Sequence, residues 1–103
     1  MTLEQIEAFL TVTTLGNISA AANSLYVTQS TLSSRIHSLE AELNVPLFIR
    51  SRGKQKVELT NYGNAFIPLA SQWMALWKNT QHLTSIADYT SLTYGEHKDI
   101  HYR

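Results

Sequence analysis

Hydrophobic positions recur along the chain with a helical period, interrupted once by a short alternating stretch. Leu3, Ile6, Phe9, Leu10 and Leu15 fall near one face of a 3.6-residue repeat and predict a helix over 2–15. Thr2 and Gln5 have the spacing of a capping box, and Gly16 is a natural stop. Asn17 or Ser19 can cap the next segment, a small alanine-rich run whose side chains suit a short, closely packed helix over 19–25. Tyr26-Val27 breaks the pattern and Thr28 offers a new cap. Leu32, Ile36, Leu39 and Leu43 then make a narrow apolar stripe, predicting a helix over 29–43 that Asn44 and Pro46 end. Leu47-Phe48-Ile49 is apolar and strand-like, residues 50–56 form a basic turn around Gly53, and Val57-Glu58-Leu59 alternates as a half-buried strand does. A small β-hairpin is expected over 47–59.

Thr60 caps a last, long helix. Tyr62, Phe66, Leu69, Trp73, Leu76, Thr80, Leu83 and Ala87 step by four and three in alternation, a heptad seam widened by Ile67, Ala70, Met74 and Trp77. Pro68 lies inside this pattern and is expected to bend the helix or loosen its first turns. Periodicity fades after Asp88, so residues 90–103 read as a tail. The expected organisation is a domain over 1–60, a linker or dimerisation helix over 61–88, and a tail or the start of a further domain over 89–103.

The order of helix, glycine stop, short helix, turn, second helix and basic hairpin is that of a winged helix-turn-helix, whose second helix enters a major groove. The expected fold is therefore mainly α: three helices plus a small β-hairpin, followed by a long dimerisation helix. Opposite the stripe of the 29–43 helix lie Gln29, Ser30, Thr31, Ser33, Ser34 and Arg35. Gln addresses adenine bidentately, Arg addresses guanine, and Ser or Thr reach bases or phosphates. The cap at Thr28 aims free backbone amides at an anion.

Net charge argues neither way, since eight basic residues balance eight acidic ones. Distribution is more telling. No acid occurs between Glu7 and Glu40, and between Glu42 and Glu58 stand Arg50, Arg52, Lys54 and Lys56 without an acid. Both surfaces that would face a polyanion are cleared of repulsion. Glu40 and Glu42 are expected to be solvated or ion-paired away from that surface.

These residues bring in a resemblance. Ser19-Ala20-Ala21-Ala22, Val27-Thr28-Gln29-Ser30-Thr31-Leu32-Ser33, Ile36-His37-Ser38-Leu39-Glu40, Leu43-Asn44-Val45-Pro46-Leu47-Phe48, Leu59-Thr60 and Gly63 closely resemble the DNA-binding domain of LysR-type transcriptional regulators. The resemblance covers residues 1 to about 88. It implies a bacterial winged helix-turn-helix whose linker helices pair antiparallel into a dimer. The family's base- and phosphate-contacting positions map onto Gln29, Ser30, Thr31, Ser33 and Ser34, and its wing position onto Arg50. The chain departs from the family at Ser34, commonly arginine, at Ser30, often proline, and at His37 and Ser38, often basic. Full-length members continue into a two-lobed effector-binding domain, and these 103 residues end where it would begin. No small-molecule effector site and no cofactor are therefore expected in this chain. A fragment, a truncated product and a naturally short DNA-binding dimer all fit that length.

Other classes fare poorly. The chain has no cysteine, so disulfides, thiolate metal sites and cysteine nucleophiles are excluded. No apolar run approaches the ~20 residues of a membrane span, and the first residues do not resemble a secretory signal. His97 and His101 have a metal-ligand spacing beside Glu96 and Asp99, without a third ligand. No nucleophile elbow or glycine-rich phosphate loop occurs, so an enzyme is not expected. A protein-interaction module that no longer binds DNA is the remaining rival. The expected partners are double-stranded DNA, through Thr28, Gln29, Ser30, Thr31, Ser33, Ser34, Arg35, Arg50, Arg52 and Lys54, and a second copy, through Phe66, Leu69, Trp73, Leu76, Trp77 and Leu83. The expected location is the cytoplasm.

Overall fold

Thr2 starts the first helix as its neighbours predict. Its Oγ1 accepts from the Gln5 amide at 3.2 Å, and Gln5 Oε1 accepts from the Thr2 amide at 2.7 Å. The computed structural model describes residues 1–50 and 56–94, with side chains as far as Asp88. Helix α1 spans Leu3–Leu15 and stops at Gly16, where φ is 69° and the amide returns to the Val12 carbonyl. Of the two candidate caps for the next helix, Asn17 is the one used: its Oδ1 accepts from the Ala20 amide at 2.8 Å. Helix α2 therefore begins one residue early and spans Ile18–Leu25. Thr28 caps α3, Gln29–Leu43, which Asn44 closes in the left-handed region at φ 60°.

The hairpin is shorter than its apolar pattern predicts. Strands β1 (Phe48–Ile49) and β2 (Glu58–Leu59) pair antiparallel, Phe48 opposite Leu59 and Ile49 opposite Glu58. A bridge from Lys56 to Asn17, with the Val57 amide on the Gly16 carbonyl, ties the returning strand to the α1–α2 turn. Thr60 Oγ1 caps the next helix by accepting from the Gly63 amide, and its hydroxyl donates back to the Pro46 carbonyl at 2.6 Å.

The core lies where α1, α2 and α3 meet the base of the hairpin. Ile6, Phe9, Val12, Ala21, Leu32, Ile36, Leu39 and Leu47 are essentially sealed from solvent. Phe9 stands at its centre, with ring centroids 5.5 Å from Phe48 and 5.0 Å from Phe66. Ala21 and Ala22 let α2 approach closely, which sets the short helix against α1 and α3.

The long helix differs from its pattern in three ways. It is two helices, α4 (Asn61–Gln81) and α5 (Leu83–Tyr94), separated at His82. The helical conformation reaches Tyr94, where the fading periodicity predicts a tail, because no glycine or proline intervenes before Gly95. And α4 runs through Pro68 without interruption. Proline removes one backbone donor, but Gly63, Phe66 and Ala70 are buried against the domain on either side of it and hold the helix in place.

The chain's start is tied to α3 by an exposed ion pair: the Met1 ammonium donates to Glu42 Oε2 at 2.8 Å. That ammonium, and then the Gln5 side chain, hold the Glu42 carboxyl below its ordinary value of 4.5. A depressed carboxyl contributes stability above its unfolded pKa and loses it as pH falls through the lower folded value. Glu42→Gln is expected to make the urea midpoint slightly lower at neutral pH and less sensitive to acid below about pH 4.5. Equal acid sensitivity in both proteins would show that the pair does not contribute.

Candidate nucleic-acid interface

Leu32, Ile36 and Leu39 turn the inner face of α3 to the core, and the ~100° step of a helix then fixes what points out. Ser30, Ser34, His37 and Ser38 are exposed on the opposite face. Gln29 and Thr31 are exposed near the cap, while Ser33 and Arg35 sit half-buried on the two flanks. Arg35 thus does not occupy the outward direction of Ser34; the two are one helical step apart.

The cap end is ordered by its own side chains. Thr28 Oγ1 accepts from the Thr31 amide at 3.0 Å and donates to Thr31 Oγ1 at 3.0 Å. Both contacts of the Thr28 hydroxyl serve the helix end, and accepting there leaves the Thr31 hydroxyl proton available to another acceptor. Gln29 Nε2 donates to Ser19 Oγ at 2.8 Å, so its amide is drawn toward α2 rather than standing free. Tyr26 forms the turn between the two helices in the left-handed region, φ 58°, and is 94% exposed. The sequence marks it only as a break in periodicity.

The acids at the other end of α3 are both engaged. Glu42 holds the Met1 ammonium. Glu40 Oε2 accepts from the Leu47 amide at 2.7 Å and the Phe48 amide at 3.2 Å, and its Oε1 takes the Arg50 guanidinium. Arg50, expected to contact a polyanion, is paired in this structure with Glu40, which lies within reach across the loop. The sequence does not disclose this clamp, since the partners lie 7–10 positions apart with no periodic relation. Lys56 is exposed at the hairpin's returning strand. Arg52 and Lys54 lie outside the described residues, as do His97 and His101. Among the described residues no cluster of acids and histidines could hold a metal, and no helix is long and apolar enough to cross a membrane.

The expected pairing surface divides. Phe66 is corrected: at 8% exposure its ring packs on Phe9 and belongs to the chain's own core. It lies on the same α4 face as Gly63 and Ala70, at the domain-facing edge of the seam, about 20° around the helix from Trp73. Leu69, Trp73, Leu76, Trp77 and Leu83 stay exposed, and with Met1 and Gln72 several of them line an apolar groove beside Phe66.

Comparison with known proteins places this arrangement. Residues 3–64 match the family described as "Bacterial regulatory helix-turn-helix protein, lysR family". A probable RuBisCO transcriptional regulator of Cyanidioschyzon merolae is 42% identical over 79 residues, 77% of this chain and 25% of that protein. The HTH-type transcriptional regulator HdfR of Shigella boydii is 40% identical over 78 residues, 76% of this chain and 27% of that one. The chain thus spans about a quarter of the length of these curated relatives, which are transcriptional regulators rather than enzymes. Among solved structures, the DNA-binding domain of CbnR in complex with DNA superposes with a TM-score of 0.77 at 33% identity, covering 85% of this chain and 99% of that one. Full-length OxyR of Pseudomonas aeruginosa superposes at 0.76 and 29% identity, covering 84% and 28%. With the matched region spanning all of α1 to α3, the hairpin and the start of α4, the chain belongs to the LysR family of regulatory helix-turn-helix proteins.

Proposed function

We propose that the chain binds DNA sequence-specifically as a dimer and so regulates transcription, each protomer placing α3 in a major groove with its wing over 50–56 beside it. The observation that carries this reading is the exposed face of α3: Ser30, Thr31, Ser34, His37 and Ser38 present short hydrogen-bonding groups, and the two acids of the helix are bound elsewhere. The likeness to a solved DNA complex supports it. The exposed seam of Leu69, Trp73, Leu76 and Leu83 supports pairing with a second copy, which would set two recognition helices against an interrupted near-palindrome. Thr28, Gln29, Thr31, Ser33 and Ser34 read or position, Arg35 serves from the flank, and Arg52 and Lys54 of the wing meet phosphates. Such a protein works where its DNA is, in a bacterium the cytoplasm.

Selection from a random duplex pool, followed by footprinting, tests the reading: one enriched interrupted near-palindrome is expected, and no enrichment over the starting pool overturns it. Gln29 provides a residue-level check. Its Nε2 donates to Ser19, which leaves Oε1 and the second amide proton for a base edge. Gln29→Ala is expected to cost about 1–3 kcal/mol at one base position of the selected site and to relax that position. Equal losses on selected and random duplexes would show that Gln29 positions the helix rather than specifying a base.

A further inference from the structure

We propose that Glu40 determines specificity without touching DNA, by withholding the charge of Arg50 from phosphates and using it as a strut for the wing; this rests on the DNA-binding reading above. The geometry is that of a clamp. One carboxylate from the last turns of α3 takes the Leu47 and Phe48 amides on one oxygen and the Arg50 guanidinium on the other. Those groups flank and begin β1 (Leu47 before it, Phe48 at its start, Arg50 just after it), so the carboxylate fixes where the hairpin leaves α3. The Arg50 side chain is 52% exposed, so its charge stands at the surface, while Glu40, at 12%, sits beneath it. A free arginine there would attract any phosphate, regardless of sequence. Paired with Glu40, it contributes little to that general attraction and retains its full effect on the angle between wing and recognition helix. The neutral total charge of the chain is in keeping with this restraint. Discrimination depends on the ratio of site binding to general binding, so suppressing the general part raises it.

The test measures binding of a random-sequence 30-base-pair duplex, and of the selected site, across a salt series. Glu40→Gln keeps an oxygen for the two amides and releases Arg50. It is expected to bind the random duplex several-fold tighter at low salt, to steepen the slope of log affinity against log salt by about 0.9, and to lower the ratio of selected-site to random binding. Arg50→Ala alone is expected to leave the random-duplex slope where it was. The two changes combined should return the slope of Glu40→Gln to that of the unaltered chain. Folding of each variant is read by circular dichroism, and if Glu40→Gln does not fold, Arg50→Ala decides the matter. The proposal is overturned if Glu40→Gln leaves slope and ratio unchanged, or if Arg50→Ala alone lowers the slope by about 0.9, because Arg50 would then already sit on a phosphate. If the unaltered chain shows no salt-dependent binding to either duplex, the DNA-binding reading falls first and this one with it.

Discussion

In the dimer proposed above, Leu76→Ala and Trp73→Ala are each expected to give a protein that dissociates on dilution and loses the selected site. Leu76 is 68% exposed, and Leu69, Trp73, Trp77 and Leu83 stand exposed along the same helices. Phe66 and Ala70 already anchor α4 to the domain, and among the described residues these seam side chains remain exposed. Burying one large apolar side chain contributes roughly 1.5–3 kcal/mol. In a two-fold dimer each residue occurs twice, so one substitution can weaken association by about a hundredfold or more. Folding and association are then coupled, and the melting temperature of the unaltered chain should rise with its concentration. Operator binding needs two recognition helices at fixed spacing. Neither residue lies on α3, yet affinity for the full site should fall with the dimer, while binding to a half-site should not. Sedimentation across a dilution series, paired with operator titrations, checks this. A Leu76→Ala protein that stays dimeric, with a concentration-independent melt and unchanged operator affinity, would place the pairing surface elsewhere.

Gly63→Ala is expected to produce the largest loss of intrinsic stability from the smallest chemical change. A Cβ at this position would lie 2.2 Å from the Leu47 carbonyl oxygen and 2.7 Å from Leu59 Cδ2. Leu59 could rotate away, but the Leu47 carbonyl is backbone and also accepts from the Thr60 amide at 3.0 Å. Relief therefore requires α4 to move off the base of the hairpin. That movement would strain the Thr60 cap and loosen Phe66 in the core. Overpacking of this kind costs typically 1–3 kcal/mol, and the backbone contact puts this case at about 3 or above. For a domain of this size that is a fall of about 12–24 °C, taking roughly 4–8 °C per kcal/mol. A melt within a few degrees of the unaltered chain would show that α4 is less firmly seated than the contacts suggest.

The elements that announce themselves in the sequence are those fixed by local chemistry. Thr2 with Gln5, Thr28 and Thr60 each cap the helix that their spacing predicts, and Gly16 ends the first one. The stripe of Leu32, Ile36 and Leu39 is buried as its period requires, which in turn settles the exposed face of α3. The features that pattern does not reveal depend on tertiary neighbours. Proline at position 68 is the visible breaker, yet the helix divides at His82, which carries no glycine or proline signal. Packing of Phe66 and Ala70 outweighs one lost hydrogen bond. Phe66 belongs both to the heptad rhythm and to the domain-facing side of α4, and only the position of Phe9 assigns it to the core. Arg50 reads as a free wing cation until α3 brings Glu40 to it. Gln29 likewise reads as free until α2 brings Ser19 to its amide. In each case the partner is distant in sequence and aperiodic, so pattern alone could not pair them.

The most direct test is the stoichiometry and footprint of the complex on the selected DNA. Analytical ultracentrifugation of the chain with that duplex, alongside hydroxyl-radical footprinting, should give two chains per site. Protection should appear as two half-sites on one face of the duplex, separated by one or more helical turns of about 10.5 base pairs. Binding of a single chain to one half-site, by a protein that remains monomeric at tens of micromolar, would contradict the account.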